Sequence, residues 1–238
     1  MSNALGRPEF VALLKESISE RYQDRHPLMT MLYGGGLSRK QMKAWIVNRF
    51  YLQKNIPIKD AAVLSNCPEP EVRKMWISRM LRREGIEQSI GDVDGWLNFA
   101  EAAAIKGRDL QKAKFLPGVR FAVDGYVNFA RRATWVEGIA ASLFEYFARD
   151  ELMRRIQALK KHYSWIEPRG LRFFMSRLSQ LDVTNEGTLG IIMKYCKTRS
   201  LQRDAVSAAV FMSEVTWSLH DAVYMAYVLD DRPLSDSL

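Results

Sequence analysis

Residues 48–68 read NRFYLQKNIPIKDAAVLSNCP. Spacing of the apolar positions predicts helix on both sides of Pro57, with the proline placed at the start of the second helix. Helical neighbours lie three and four positions apart, so Trp45, Arg49 and Gln53 fall along one face. Met42, Ile46 and Phe50 form the apolar stripe beside it. Two readings of Arg49 stay open on periodicity alone. It can mark an amphipathic boundary and snorkel to water. Alternatively it points inward, and then it needs an anionic partner, because an unpaired buried charge costs several kcal/mol.

Outward from this stretch, the helical pattern continues in both directions. Pro8 sits where a first helix begins, running to about Tyr22. The glycines at 34–36 break the chain, and Ser38 with Gln41 forms a capping-box pattern opening a helix to about Gln53. Pro68 and Pro70 precede a helix ending near Arg83. DVDGWLNFAEAAAI (92–105) reads as a helix capped by its first aspartate. LPGVRFAVDGYVNFARRA (116–133) and WVEGIAASLFEYFARDELMRRIQALKKHY (135–163) follow with little between them. LRFFMSRLSQL (171–181), then VTNEGTLGIIMKYCK (183–197) beyond Asp182, lead to a last long helix from about Leu201 to Leu229. Residues 1–238 are expected to form one all-α domain of roughly eight to ten helices, without repeats or low-complexity linkers.

Composition narrows the classes of function. The chain is 47% hydrophobic and 26% charged, the balance of a soluble globular protein. It has no apolar run long enough to span a bilayer and no leader-like N-terminus, so a cytoplasmic location is expected. Two cysteines and three histidines are too few for a cysteine framework or a histidine-rich metal site. None of the histidines has the Glu-x-x-His spacing of helical di-iron proteins, so no metal is expected. The net charge of +8 is spread over VRKMWISRMLRREG, FARRATW, MRRIQALKKHYSW and KTRSLQR. Such scatter suits solvated helix faces, and no nucleic-acid-binding motif accompanies it.

Tyr126, Arg155 and Arg177 pose the same question as Arg49. Arg177 stands four after Phe173 and three after Phe174, on a side shared with aromatics. A structural ion pair with Glu145, Asp124 or Asp221 would account for any one of the arginines.

Four blocks of this sequence resemble the pyrroloquinoline quinone synthase family: AWIVNRFYLQKNIPIKDAAVLSNCP (44–68), LPGVRFAVDGYVNFARRATWVEGIAASLFEYFA (116–148), HYSWI through FFMSRLSQ (162–180) and TWSLHDAVYMAYVL (216–229). They occur in order and cover nearly the whole chain. The resemblance implies a compact haem-oxygenase-like helical bundle with a closed central pocket, usually a homodimer. It implies an enzyme that oxidises a bicyclic tricarboxylate precursor with dioxygen and closes a ring to the quinone, without metal or organic cofactor. An anionic quinone or its precursor is then the partner, and it supplies the counter-charge that inward-facing cations lack.

Carried over position by position, the family pocket retains Arg49, Gln53, Lys59, Tyr126, Arg155 and Arg177. The three arginines and Lys59 would anchor carboxylates, while Gln53 and Tyr126 would orient the rings or the oxygen. His26, before Pro27, is also kept. Other positions depart from the pattern. A family histidine is Gln23 here, and another, in the family's DHDG, is Arg83 within RREG. A third is Leu152. A tyrosine is Phe173, and a lysine is Met212. Anion anchors thus survive while proton-handling groups are depleted, and general acid–base groups contribute about 10²- to 10⁴-fold each. Two functions follow as expectations: an oxidase of the synthase type with altered proton relays, or a non-catalytic paralogue that binds the quinone or its precursor.

Overall fold

A computed structural model describes residues 4–86 and 90–234. Among them are eleven α-helices and no strand: α1 (Arg7–Ser19), α2 (Pro27–Gly34), α3 (Arg39–Asn66), α4 (Pro70–Glu84), α5 (Asp92–Ala102), α6 (Gly107–Gln111), α7 (Pro117–Arg132), α8 (Trp135–Ala140), α9 (Ala148–His162), α10 (Arg172–Tyr195) and α11 (Arg199–Tyr224). Short 3₁₀ segments lie at Gln23–Arg25, Ala141–Phe147 and Pro168–Leu171, and a π-helical turn, Met225–Leu229, ends the bundle. None of the described helices is long and apolar enough to cross a membrane.

α3 is the axis of the fold. It packs on α4, α5, α7, α8 and α11, and every residue from Ala44 to Phe50 is buried. The Ser38–Gln41 capping box starts it as expected. Pro57 does not start a second helix: α3 runs through it to Asn66. An interior proline loses one backbone hydrogen bond and costs about 3 kcal/mol. Burial on both sides of it, by Phe50 and Leu52 before and Asp60 and Val63 after, outweighs that local preference.

Three other expectations are corrected. Asp92 is the first residue of α5 and Gly91 occupies the cap; the aspartate is used in ion pairs instead. The 171–181 and 183–197 stretches are one helix, α10. Its threonine hydroxyls are absorbed by bonds to carbonyls one turn back, Thr184 to Gln180 and Thr188 to Thr184. In contrast, 135–163 is interrupted by the 3₁₀ segment Ala141–Phe147. With three residues per turn, Ser142 and Glu145 stack on one side of that segment. That register, which no spacing rule for α-helices yields, positions the central carboxylate of the site.

An aromatic cluster closes the core around α5. Trp96 meets Trp45, Phe99 and Phe173 edge-on, and Phe99 meets Phe174 at 4.9 Å between ring centres. Both cysteines, Cys67 and Cys196, are buried free thiols.

Candidate functional site

The inward polar residues form two adjoining clusters. At the first, α3 contributes Lys59 and Asp60, both fully buried. The Lys59 amine lies 2.6 Å from Asp60, donates to Ser142 Oγ at 2.9 Å, and faces the rings of Trp76 and Tyr126. Arg79 of α4 reaches Asp60 at 3.2 Å and Glu145 at 3.0 Å. Arg83, one turn on, donates to Asp92 at 2.6 Å and Glu145 at 2.5 Å. Arg177 of α10 completes the lattice with Asp92 at 3.2 Å and Glu145 at 3.0 Å. Burial would raise the Glu145 carboxyl, but Arg79, Arg83 and Arg177 overcome that and hold it well below the usual glutamate range. Asp60 is lowered as well, burial being outweighed by Lys59, Arg79 and Arg83.

At the second cluster, Arg49 stands one turn above the buried Gln53 on α3. Arg155 of α9 pairs with Glu151, its neighbour one turn back, and lies over the rings of Trp45 and Phe174. Glu151 also accepts from Tyr33 Oη at 2.5 Å and from Gln23 at 3.4 Å. Arg49 is different. The residue is 7% exposed, and its Nε and Nη1 are buried with no hydrogen-bond partner. Burial, with the Arg155 charge beside it, lowers its pKa to about 10, which still leaves it a cation at neutral pH.

The residues inferred for carboxylate anchoring therefore divide. Lys59, Arg155 and Arg177 do not wait for a ligand's charge, because Asp60, Glu151, Asp92 and Glu145 already supply counter-charges. Of the three candidate partners named from sequence, Glu145 is the one that pairs, with Arg177. Asp221 pairs with His26 and Asp124 with Tyr51. Counting both clusters, six cations (Arg49, Lys59, Arg79, Arg83, Arg155 and Arg177) face four carboxylates. Two positive charges are left over.

His26 is committed to the fold. Its Nδ1 accepts the Leu28 N–H as the cap of α2, so Nε2 carries the proton and donates to Asp221 at 3.0 Å. Neither ring nitrogen is free for the catalytic part inferred for it. Among the altered positions, Gln23 and Arg83 join the polar clusters. Leu152, Phe173 and Met212 are buried apolar groups. Phe173, with Asp92, Gly95 and Arg172, bounds a cavity of about 480 Å³ between α5 and α10.

Sequence reasoning missed Arg79, Asp60, Asp92, Glu151 and His220. His220 is fully buried on α11; Trp45 Nε1 donates to its Nε2 at 3.4 Å, and its Nδ1 is unpartnered. Its signal was available: eight residues from Met212, it lies on the same helix face. No three described His, Cys, Asp or Glu residues are grouped to hold a metal ion.

A model of the TENA/THI-4/PQQC family matches residues 13–222. The chain belongs to that family. Among curated relatives, it is 42% identical over 231 residues to the pyrroloquinoline-quinone synthase of Pseudomonas aeruginosa, covering 97% of this chain and 92% of the relative. Its identity with the Cronobacter sakazakii pyrroloquinoline-quinone synthase is also 42%, covering 94% and 90%. Solved structures agree on the fold. A protein of unknown function with a haem-oxygenase-like fold from Shewanella denitrificans aligns with a TM-score of 0.74 at 14% identity, covering 96% of this chain and 94% of that one. A TenA homologue from Pseudomonas syringae aligns at 0.71 and 12% identity, covering 94% and 99%. The resemblance read from the four blocks and the haem-oxygenase-like bundle it implied are both borne out.

Proposed function

We propose that this family member is a synthase-type enzyme of pyrroloquinoline quinone biosynthesis, which binds an anionic bicyclic quinone precursor and oxidises it with dioxygen. The observation that carries the reading is Arg49: a buried guanidinium whose Nε and Nη1 have no hydrogen-bond partner and which Glu151, already paired with Arg155, offsets only at longer range, in a site holding two surplus positive charges. A carboxylated ligand supplies what that site lacks. Similarity to pyrroloquinoline-quinone synthases along nearly the full chain supports the substrate class. In this reading the protein works in the cytoplasm as a homodimer, on a small molecule, with no metal or organic cofactor.

A second reading, a non-catalytic protein that holds the quinone or precursor, has its own support. His26 is tied up in capping α2, and Leu152, Phe173 and Met212 carry no proton-handling group. A single-turnover experiment with the tricarboxylate precursor under oxygen separates the two. The synthase-type reading expects binding followed by spectral conversion, slowed by the missing relays. Binding without conversion selects the second reading, and absence of binding defeats both.

A further inference from the structure

We propose that His220 Nδ1–H and the Arg49 guanidinium are paired donors of a binding site for one planar carboxylate, where α3, α9 and α11 meet, with Trp45 as the positioning residue. This rests on the reading that a small anion enters here, and it assigns a contact which that reading leaves unassigned.

The hydrogen-bond inventory carries it. Unpartnered donors gather around Trp45: Arg49 Nε and Nη1, Arg155 Nε and His220 Nδ1. Each belongs to a side chain at least nine-tenths buried. Buried polar groups are nearly always satisfied, so a concentration of free donors marks the place of an acceptor. One carboxylate provides two oxygens with about four lone-pair sites.

The geometry converges. Arg49 lies one turn from Trp45 on α3, Arg155 Cζ is 5.3 Å from the Trp45 ring, and His220 Nε2 is 3.4 Å from the indole nitrogen. An indole N–H can only donate. It therefore makes Nε2 the acceptor and leaves the proton of the neutral ring on Nδ1. Burial, together with the Arg49 and Arg155 charges, keeps His220 neutral. With Nδ1 protonated and Nε2 occupied, the imidazole donates to a ligand and has no free nitrogen to abstract a proton. The residue thus sets binding and orientation. On the same face of α11, two turns away, Met212 offers no such donor.

Quinoline-2-carboxylate, a planar bicyclic monoanion, is a suitable probe, and quinoline-2-carboxamide its neutral control. Calorimetry on the full chain gives affinity, and long-range ¹H–¹⁵N spectra give the His220 tautomer. The carboxylate is expected to bind, the amide not, and the His220 Nδ1–H resonance of the unsubstituted protein to move downfield on binding. Arg49→Gln and His220→Leu should each weaken binding about tenfold, the scale of one hydrogen bond to a charged group. His220→Asn, whose amide nitrogen falls near the Nδ1 position, should stay within about threefold of the unsubstituted protein. Trp45→Phe should shift the tautomer toward Nε2–H. If Arg49→Gln weakens binding while His220→Leu and the His220 resonance do not respond, the His220 assignment is overturned and the anion site stands. Unchanged affinity in Arg49→Gln, or no carboxylate binding at all, overturns both.

Discussion

Arg49 and Arg155 are both buried arginines of one cluster, yet opposite consequences follow from neutralising them. Arg155 has Glu151, so Arg155→Met leaves that buried carboxylate without its direct ion pair and should destabilise by about 3–5 kcal/mol. Arg49 has no direct ion pair and feels Glu151 only at longer range, so Arg49→Met removes a poorly compensated charge and should stabilise the ligand-free protein by about 1 kcal/mol or more while weakening anion binding at least tenfold. Urea denaturation of the two variants side by side checks this, and equal losses would show that Arg49 is structurally paired. His220 makes a pH prediction. Its folded pKa lies well below 6.5, burial being the main cause, followed by Arg49, His26 and Arg155. Below pH 6.5 the unfolded state therefore takes up a proton that the folded state refuses, and stability falls with acidification. The slope approaches about 1.4 kcal/mol per pH unit for each such group. His26, lowered mainly by burial, adds in the same direction. Stability curves between pH 7.5 and 5 should flatten in His220→Asn, and an unchanged slope would place the titration elsewhere.

At the scale of elements, the junction of α4 with α5 is held by close backbone approach as well as by charge. A methyl group on Gly91 would lie 2.2 Å from the Glu84 carbonyl oxygen. The backbone there is extended and suits any residue, so the restriction is one of space. Gly91→Ala should cost about 1–3 kcal/mol by overpacking, and loosen the Arg83–Asp92 pair that crosses the same junction. Gly34→Ala, with open space around the new methyl, is the control and should be nearly neutral in a thermal melt. A melt in which both variants match the unsubstituted protein would refute the packing argument. This junction also shows what the sequence made legible. Capping box, proline starts and apolar spacing located most helices, because those are local signals. The path of α3 through Pro57 was hidden, since tertiary burial overrode a local rule. The inward turn of Glu145 was hidden too, since it depends on a 3₁₀ register between two helices. Arg49 could be singled out from its spacing, but whether Arg177 met a ligand or Glu145 depended on that register.

Across the whole molecule, the Glu145 cluster ties α3, α4, α5 and α10 to the 3₁₀ segment, so the ion pairs of the site are also tertiary contacts of the fold. Arg79, Arg83 and Arg177 all converge on this carboxylate. Glu145→Gln keeps the shape and removes the charge, leaving four cations, Lys59 and the three arginines, facing Asp60 and Asp92. At pH 7 it should therefore destabilise by about 3–5 kcal/mol, as breaking buried ion pairs does. The sign of the acid dependence discriminates this from simple loss of a hydrogen bond. Glu145 has a depressed folded pKa: burial opposes ionisation, and the three arginines with Lys59 outweigh it. Its contribution is complete above the unfolded value near 4.5 and is lost as pH falls toward the folded one. Unsubstituted protein should thus lose stability through this group below pH 4.5, at up to about 1.4 kcal/mol per pH unit, and Glu145→Gln should not. The gap between their urea midpoints should narrow between pH 5 and pH 3. A gap that stays constant over that range would mean the arginines are neutralised by other groups, and that the four helices are not joined through this carboxylate.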